Sequence, residues 1–236
     1  MKDLLLFVLN QIPKYFSNFI SVLVRPKRFV RGRHDTSEQT LAEAMIFFGV
    51  SFVITMILAW PLMPDHVESA RFLAPRALIN LILVAAGAAL TLVSWSFVGG
   101  QARFESYFVI NCYYMGVLII CMMLVFLCAL GIVKIFDPAL YPLLAQTSIH
   151  IQFQNEKLNE LIYDPGNQMR SAVFIIYNLI LLAGLIAQSL WYILGWGAFR
   201  EINGLSKWQS FIAGMIFILL TLITLPIGVF IQFVMD

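Results

Sequence analysis

Five stretches of this chain are about twenty residues long or longer, and no Asp, Glu, Lys, Arg or His lies in their central parts. They run from about Leu41 to Trp60, Leu78 to Val98, Tyr107 to Val133, Ala172 to Gly195 and Gln209 to Val234. An α-helix rises 1.5 Å per residue, so about twenty residues cross a hydrocarbon layer of about 30 Å. The chain is 61% hydrophobic and 12% charged, against about 45–50% and about 25% in soluble domains. A soluble fold of this length has too little interior to hide that much apolar surface. Lipid accepts what water rejects. The fold class expected is an all-α integral membrane protein with five transmembrane helices, preceded by an amphipathic interfacial helix.

That first helix is read over residues 2 to about 24. Asp3, Asn10, Gln11, Lys14, Ser17, Asn18 and Ser21 recur at steps of three and four and share one stripe, with Arg25 just beyond. Leu5, Leu6, Leu9, Ile12, Phe16, Phe19, Ile20 and Leu23 cover the rest. Pro13 is a point where the helix would kink or split, and Pro26 ends it. No uninterrupted apolar span exists here, so the helix is expected to lie on the membrane rather than cross it. The basic run Arg25-Pro26-Lys27-Arg28-Phe29-Val30-Arg31-Gly32-Arg33 follows. Each such charge near an anionic lipid surface contributes about 1 kcal/mol; the same run also serves as a topology signal. Two regions result: residues 1–34, the interfacial helix with its basic segment, and residues 41–236, the five-span domain. Asp35, Thr36, Ser37 and Glu38 carry the marks of a helix start.

The connections are unequal. Residues 62–76 form a short loop. Gly99 and Gly100 break the helix between spans two and three. Residues 137–170 are the longest polar segment, with an alternating piece at 149–154 and a short helix expected at 155–162. The last link, Gly197 to Lys207, holds Arg200, Glu201, Asn203 and Gly204. Five spans put the termini on opposite sides. Seven Lys and Arg precede residue 34, and Arg103, Arg200 and Lys207 bring that side to ten. The other side has five: Arg71, Arg76, Lys134, Lys157 and Arg170. Positive charge stays inside, so the amino terminus is expected in the cytoplasm and Asp236 outside.

Chemistry is sparse. His34, His66 and His150 fall on separate segments and make no HxxxH or HExxH pair. Cys112, Cys121 and Cys128 share one apolar run, with no CxxC; they read as packing residues. No GxSxG, P-loop or GxGxxG occurs. No enzyme, cofactor or metal is expected, and a net charge of +2 gives no nucleic-acid signal. Asn111, Tyr114, Asn178 and Gln188 are the candidate polar residues inside the membrane. They line a path in a transporter; in the plainer reading such amides bond between helices. Ala85 to Ala89 let another helix come close, from this chain or from a second copy in a homo-oligomer.

The stretch Gly99-Gly100-Gln101-Ala102-Arg103-Phe104, the basic Arg25-Pro26-Lys27-Arg28-Phe29, the tyrosines Tyr107, Tyr113 and Tyr114, and Ile202-Asn203-Gly204-Leu205-Ser206 together resemble the Yip1 domain family of five-span membrane proteins. The resemblance covers about residues 20–234. It implies five spans after a basic amino-terminal segment. Eukaryotic members have a long cytoplasmic amino terminus and act in vesicle traffic with Rab-type GTPases. This chain is more similar to the compact bacterial members, which implies a bacterial inner membrane and puts a GTPase partner in doubt.

Three readings follow. The first is a non-enzymatic adaptor or organiser of membrane components. Its candidate cytoplasmic surface is Arg25, Lys27, Arg28, Gly99, Gly100, Arg103, Glu105, Arg200 and Lys207, with anionic lipid headgroups and other membrane proteins as partners. The alternative is a transporter or permease subunit for a small or lipidic solute. A lipid-modifying enzyme is the third, and it would need His150, Glu156, Glu160 and Asp164 to act together; these read rather as a solvated loop.

Overall fold

The computed structural model describes residues 2–31, 37–62, 69–146 and 168–235. The element order is α1 (Lys2–Val24), α2 (Pro26–Arg31), α3 (Glu38–Ala59), a 3-10 turn (Trp60–Leu62), α4 (Ser69–Ser96), α5 (Phe104–Phe136), α6 (Tyr141–Gln146), α7 (Gln168–Asn203) and α8 (Lys207–Met235). Among the described residues five helices are long and apolar enough to cross a membrane: Glu38–Leu62, Ala77–Ser96, Phe104–Phe136, Ser171–Asn203 and Lys207–Thr224. Even in the most enclosed of them, α5, only 33% of the most apolar window is buried inside the protein. α7 and α8 present side chains such as Leu182, Ile193, Leu219 and Leu222 outward, an arrangement that water would penalise and lipid does not. The chain is thus an all-α protein with five apolar helices of spanning length, preceded by the 23-residue α1 and the 6-residue α2.

α1 is not split at Pro13; the helix runs through it. The break comes one residue wide, at Arg25. Pro26 opens α2, where its missing N–H costs nothing and its fixed φ suits a first turn. The Arg25 and Phe29 amides still bond back to Ser21 and Arg25 carbonyls, both at 3.0 Å. Ser37 caps α3: its Oγ accepts the Thr40 amide at 3.3 Å and meets Thr40 Oγ1 at 2.9 Å. Asp35 and Thr36 lie outside the described residues, as do the three histidines, the 149–154 and 155–162 pieces, and the acids at 156, 160 and 164.

α7 is 36 residues, about 54 Å at 1.5 Å per residue, well beyond a hydrocarbon layer of about 30 Å. The sequence placed the end of this span at Gly195. Helix geometry continues to Asn203, so Arg200, Glu201 and Asn203 sit on a rigid extension rather than in a loop. α5, at 33 residues, is similarly long.

The chain divides into two compact units. The first comprises residues 1–50, 74–117 and 191–236. Its interior is aromatic. Tyr15 of α1, Phe47 of α3, Tyr113 of α5 and Phe29 of α2 form a continuous series, with successive ring centroids 4.9, 4.9 and 4.8 Å apart. Trp95 stacks on Trp196 at 5.6 Å, and Tyr114 packs on Trp191 at 5.3 Å. Gly195 allows the last approach: a Cβ there would stand 2.9 Å from the Tyr114 ring. The Tyr114 hydroxyl donates to the Gly195 carbonyl at 2.9 Å. Within the small-residue stretch, Ala88 is fully buried, and a Cβ on Gly87 would sit 3.5 Å from Asn111 Oδ1. That side of the stretch serves packing inside the chain, while Ala86 and Ala89 stay exposed.

The second unit comprises residues 51–73 and 118–190. Its core joins Ala129, Leu130 and Val133 of α5 to Leu140 and Leu144 at α6 and to Val173 and Tyr177 of α7. Asp137 stops α5, its carboxylate accepting the Leu140 amide at 3.1 Å. Gly184 of α7 meets α5 closely enough that a Cβ would fall 2.5 Å from Val125 Cγ1.

Candidate interaction face

Two helix ends of the first unit are closed by the same device. At the end of α4, Gly99 has φ +91°. Its N–H bonds the Ser96 carbonyl at 3.1 Å, and the Gly100 N–H bonds that of Trp95 at 2.8 Å. This is a Schellman ending, which needs a left-handed residue and so favours glycine. At the end of α7, Gly204 has φ +62°. Its N–H reaches Glu201 at 3.2 Å, and the Leu205 N–H reaches Arg200 at 3.3 Å. The next helix then starts with a capping box. Ser206 Oγ accepts the Gln209 amide at 3.3 Å, and Gln209 Oε1 accepts the Ser206 amide at 3.0 Å.

The two links are bonded to each other through two amide side chains. Asn203 Oδ1 accepts the Ala102 amide at 3.1 Å and the Tyr107 hydroxyl at 3.0 Å, while Nδ2 donates to the Phe199 carbonyl at 2.7 Å. Gln209 Nε2 donates to the Val98 carbonyl at 3.0 Å. Gly100 is there for space as well as for the turn. A Cβ at that position would lie 2.8 Å from both Asn203 Oδ1 and the Trp95 carbonyl oxygen.

A third piece, α2, is held on α7 by Glu201. Its carboxylate takes Lys27 Nζ at 2.8 Å and Arg31 through two bonds of 3.0 and 3.1 Å. The paired carboxylate favours the protonated guanidinium, raising the Arg31 pKa. The stem of Lys27 lies against Gly197, 3.3 Å from where a Cβ would be. Trp191 Nε1 donates at 2.8 Å to the Leu23 carbonyl, one of the last in α1 that has no partner in its own helix. Lys14 of α1 pairs with Glu43 of α3 at 2.7 Å.

The candidate surface residues therefore separate by role. Gly99, Gly100 and Lys27 build the frame. Arg25, Arg28, Arg103, Glu105 and Lys207 are exposed, and Arg200 is partly so. None of these six has an ion-pair partner among the described residues. The frame also needs residues whose importance sequence reasoning missed. Arg31, Glu201, Asn203, Gln209 and Trp191 act through partners about a hundred or more positions away for most contacts, and only the Ser206–Gln209 spacing carried a local signal.

The four intramembrane candidates are placed differently. Asn111 is buried and donates to the Tyr107 carbonyl at 2.9 Å. Asn178 is exposed and donates to the Phe174 carbonyl at 2.8 Å. Gln188 Nε2 has no hydrogen-bond partner among the described residues. Asn111 and Tyr114 belong to the first unit, Asn178 and Gln188 to the second. Among the described residues no group of three or more His, Cys, Asp or Glu is arranged to hold a metal. The three cysteines are free thiols on α5.

No curated protein and no solved structure matches the chain. The Yip1 domain matches residues 20–228, which takes in α2, both glycine-closed links, four of the long helices and most of α8. The chain, a multi-pass helical membrane protein, belongs to the Yip1 domain family.

Proposed function

We propose that this protein is a non-enzymatic adaptor or organiser of other membrane components, working through the face formed by α2, the 97–103 link and the 204–206 link. The supporting observation is the economy of that face. One acid and two amides fix three segments distant in sequence, and five cations with one acid are left pointing outward or partly so. A rigid charged patch with no catalytic group suits recognition. On the charge count this face is cytoplasmic, the amino terminus lies with it, and the carboxy terminus lies across the membrane.

The test places a photo-crosslinking residue at Arg103, Glu105 or Lys207 in native membranes. Specific protein adducts from these sites, and none from lipid-facing Leu182 or Ile193, are the expected result. Equal adducts from both sets would sink the reading. So would solute flux at a catalytic rate when the purified protein is placed in liposomes.

A further inference from the structure

Four cations flank the junction of α1 and α2, and they are not equivalent. Lys27 and Arg31 turn to Glu201 and share its carboxylate. Arg25 and Arg28 have no carboxylate partner among the described residues. Instead they line a half-open groove of about 410 Å³ with Ile20, Ser21, Val24 and Phe29. Sites for small molecules span about 300–1,000 Å³, so this one has room for a headgroup and the start of a single chain. The apolar wall is fixed on one side, because the Phe29 ring packs edge-on against Tyr113 at 4.8 Å. On the other side Ile20 and Val24 are 58% and 65% exposed, a wall that water would leave uncovered at a cost.

We propose that this groove binds one anionic glycerophospholipid. Arg25 and Arg28 hold its phosphate, and the first part of one acyl chain lies along Ile20, Val24 and Phe29. Guanidinium groups match phosphate oxygens two at a time, which a single ammonium does not. A soluble anion would satisfy the arginines and leave the apolar wall wet. A phospholipid satisfies both, and it is at hand wherever an amphipathic helix lies in the interface. The binding site rests on the reading of α1 and α2 as interfacial, and it does not depend on a protein partner at Arg103 or Lys207.

The test is lipid retention by the full chain, purified in detergent and exposed to dioleoyl phosphatidylglycerol or dioleoyl phosphatidylcholine, followed by native mass spectrometry. The wild type should retain phosphatidylglycerol in preference to phosphatidylcholine. R25Q/R28Q should lose about twenty-five-fold in retention, about fivefold for each charge. S21W, which fills the groove without changing charge, should lose the lipid as well. K134Q/K157Q removes the same charge at positions more than a hundred residues away in sequence and should retain the lipid. Soluble sn-glycerol 3-phosphate at equal concentration should not displace it. The proposal is overturned if both lipids are held equally, if K134Q/K157Q loses as much as R25Q/R28Q, if S21W has no effect, or if glycerol phosphate competes. The crosslinks from Arg103 and Lys207 are read separately, so the adaptor reading and the lipid site fail independently.

Discussion

In the first unit, beside helix-local bonds such as Asn111 to Tyr107, several polar side chains bond from one element to another. Asn203 and Gln209 reach the 97–103 link, Tyr114 reaches Gly195, Trp191 reaches Leu23, and Trp196 Nε1 donates to the Ser210 carbonyl at 3.0 Å. In the second unit Thr55, Asn178 and Ser189 each donate to a carbonyl four residues back on the same helix, all at 2.8 Å. The second pattern satisfies a hydroxyl or amide locally and fixes nothing else. The first pattern makes long-range geometry depend on single side chains. A unit with many such bonds is suited to present a defined surface. An apolar cluster such as the Ala129–Tyr177 core is suited to sit in lipid and tolerate change.

The contrast gives four tests in order of size. Gly100→Leu should be the most disruptive, since even a Cβ meets backbone at 2.8 Å; overpacking of this kind costs about 1–3 kcal/mol or more. Thermal unfolding in detergent, followed by loss of the monodisperse peak, measures it. Asn203→Ala leaves the Ala102 amide and the Tyr107 hydroxyl without their acceptor and should cost about 1–3 kcal/mol. Its signature is faster amide exchange at 98–104 with exchange in 118–145 unchanged. Glu201→Gln releases α2; the Glu201 side chain is 23% exposed and Arg31 68%, so the expected loss is within about 1 kcal/mol and shrinks further in high salt. Exchange over 25–31 should rise, and the difference from wild type should narrow as salt is added. Asn178→Ala should be near neutral, within about 0.5 kcal/mol. A large loss there would show that the second unit too relies on polar contacts, and the contrast would fall.

The membrane architecture was legible because lipid imposes a length on each span, and that length is written as an uninterrupted apolar run. The glycine-closed links were legible for a similar reason: a left-handed helix ending leaves a residue type behind. Where α7 stops was harder. Gly195 and Gly197 look like an ending, but Gly195 is small to admit Tyr114, and Gly197 lies against the Lys27 stem. A glycine chosen for space and one chosen for φ look alike in sequence. Lys27 and Arg28 are neighbours of the same charge. Only the position of Glu201 on the extended α7 decides that the first is frame and the second faces outward.

Arg31 and Glu201 are 170 residues apart, and Trp191 and Leu23 are 168 apart. Synthesis from the amino terminus produces α1 and α2 well before the residues that anchor them. At about 5–20 residues per second that interval is about 10–30 seconds. Throughout it, the two leading helices have neither the acid that binds Lys27 and Arg31 nor the indole that receives the end of α1. Meanwhile α1 can meet α3 through Tyr15–Phe47 and Lys14–Glu43, and the membrane surface can satisfy what remains of their amphipathic faces. The Glu201 contact therefore closes only once α7 has been made, whereas Phe29 can meet Tyr113 as soon as α5 is in place.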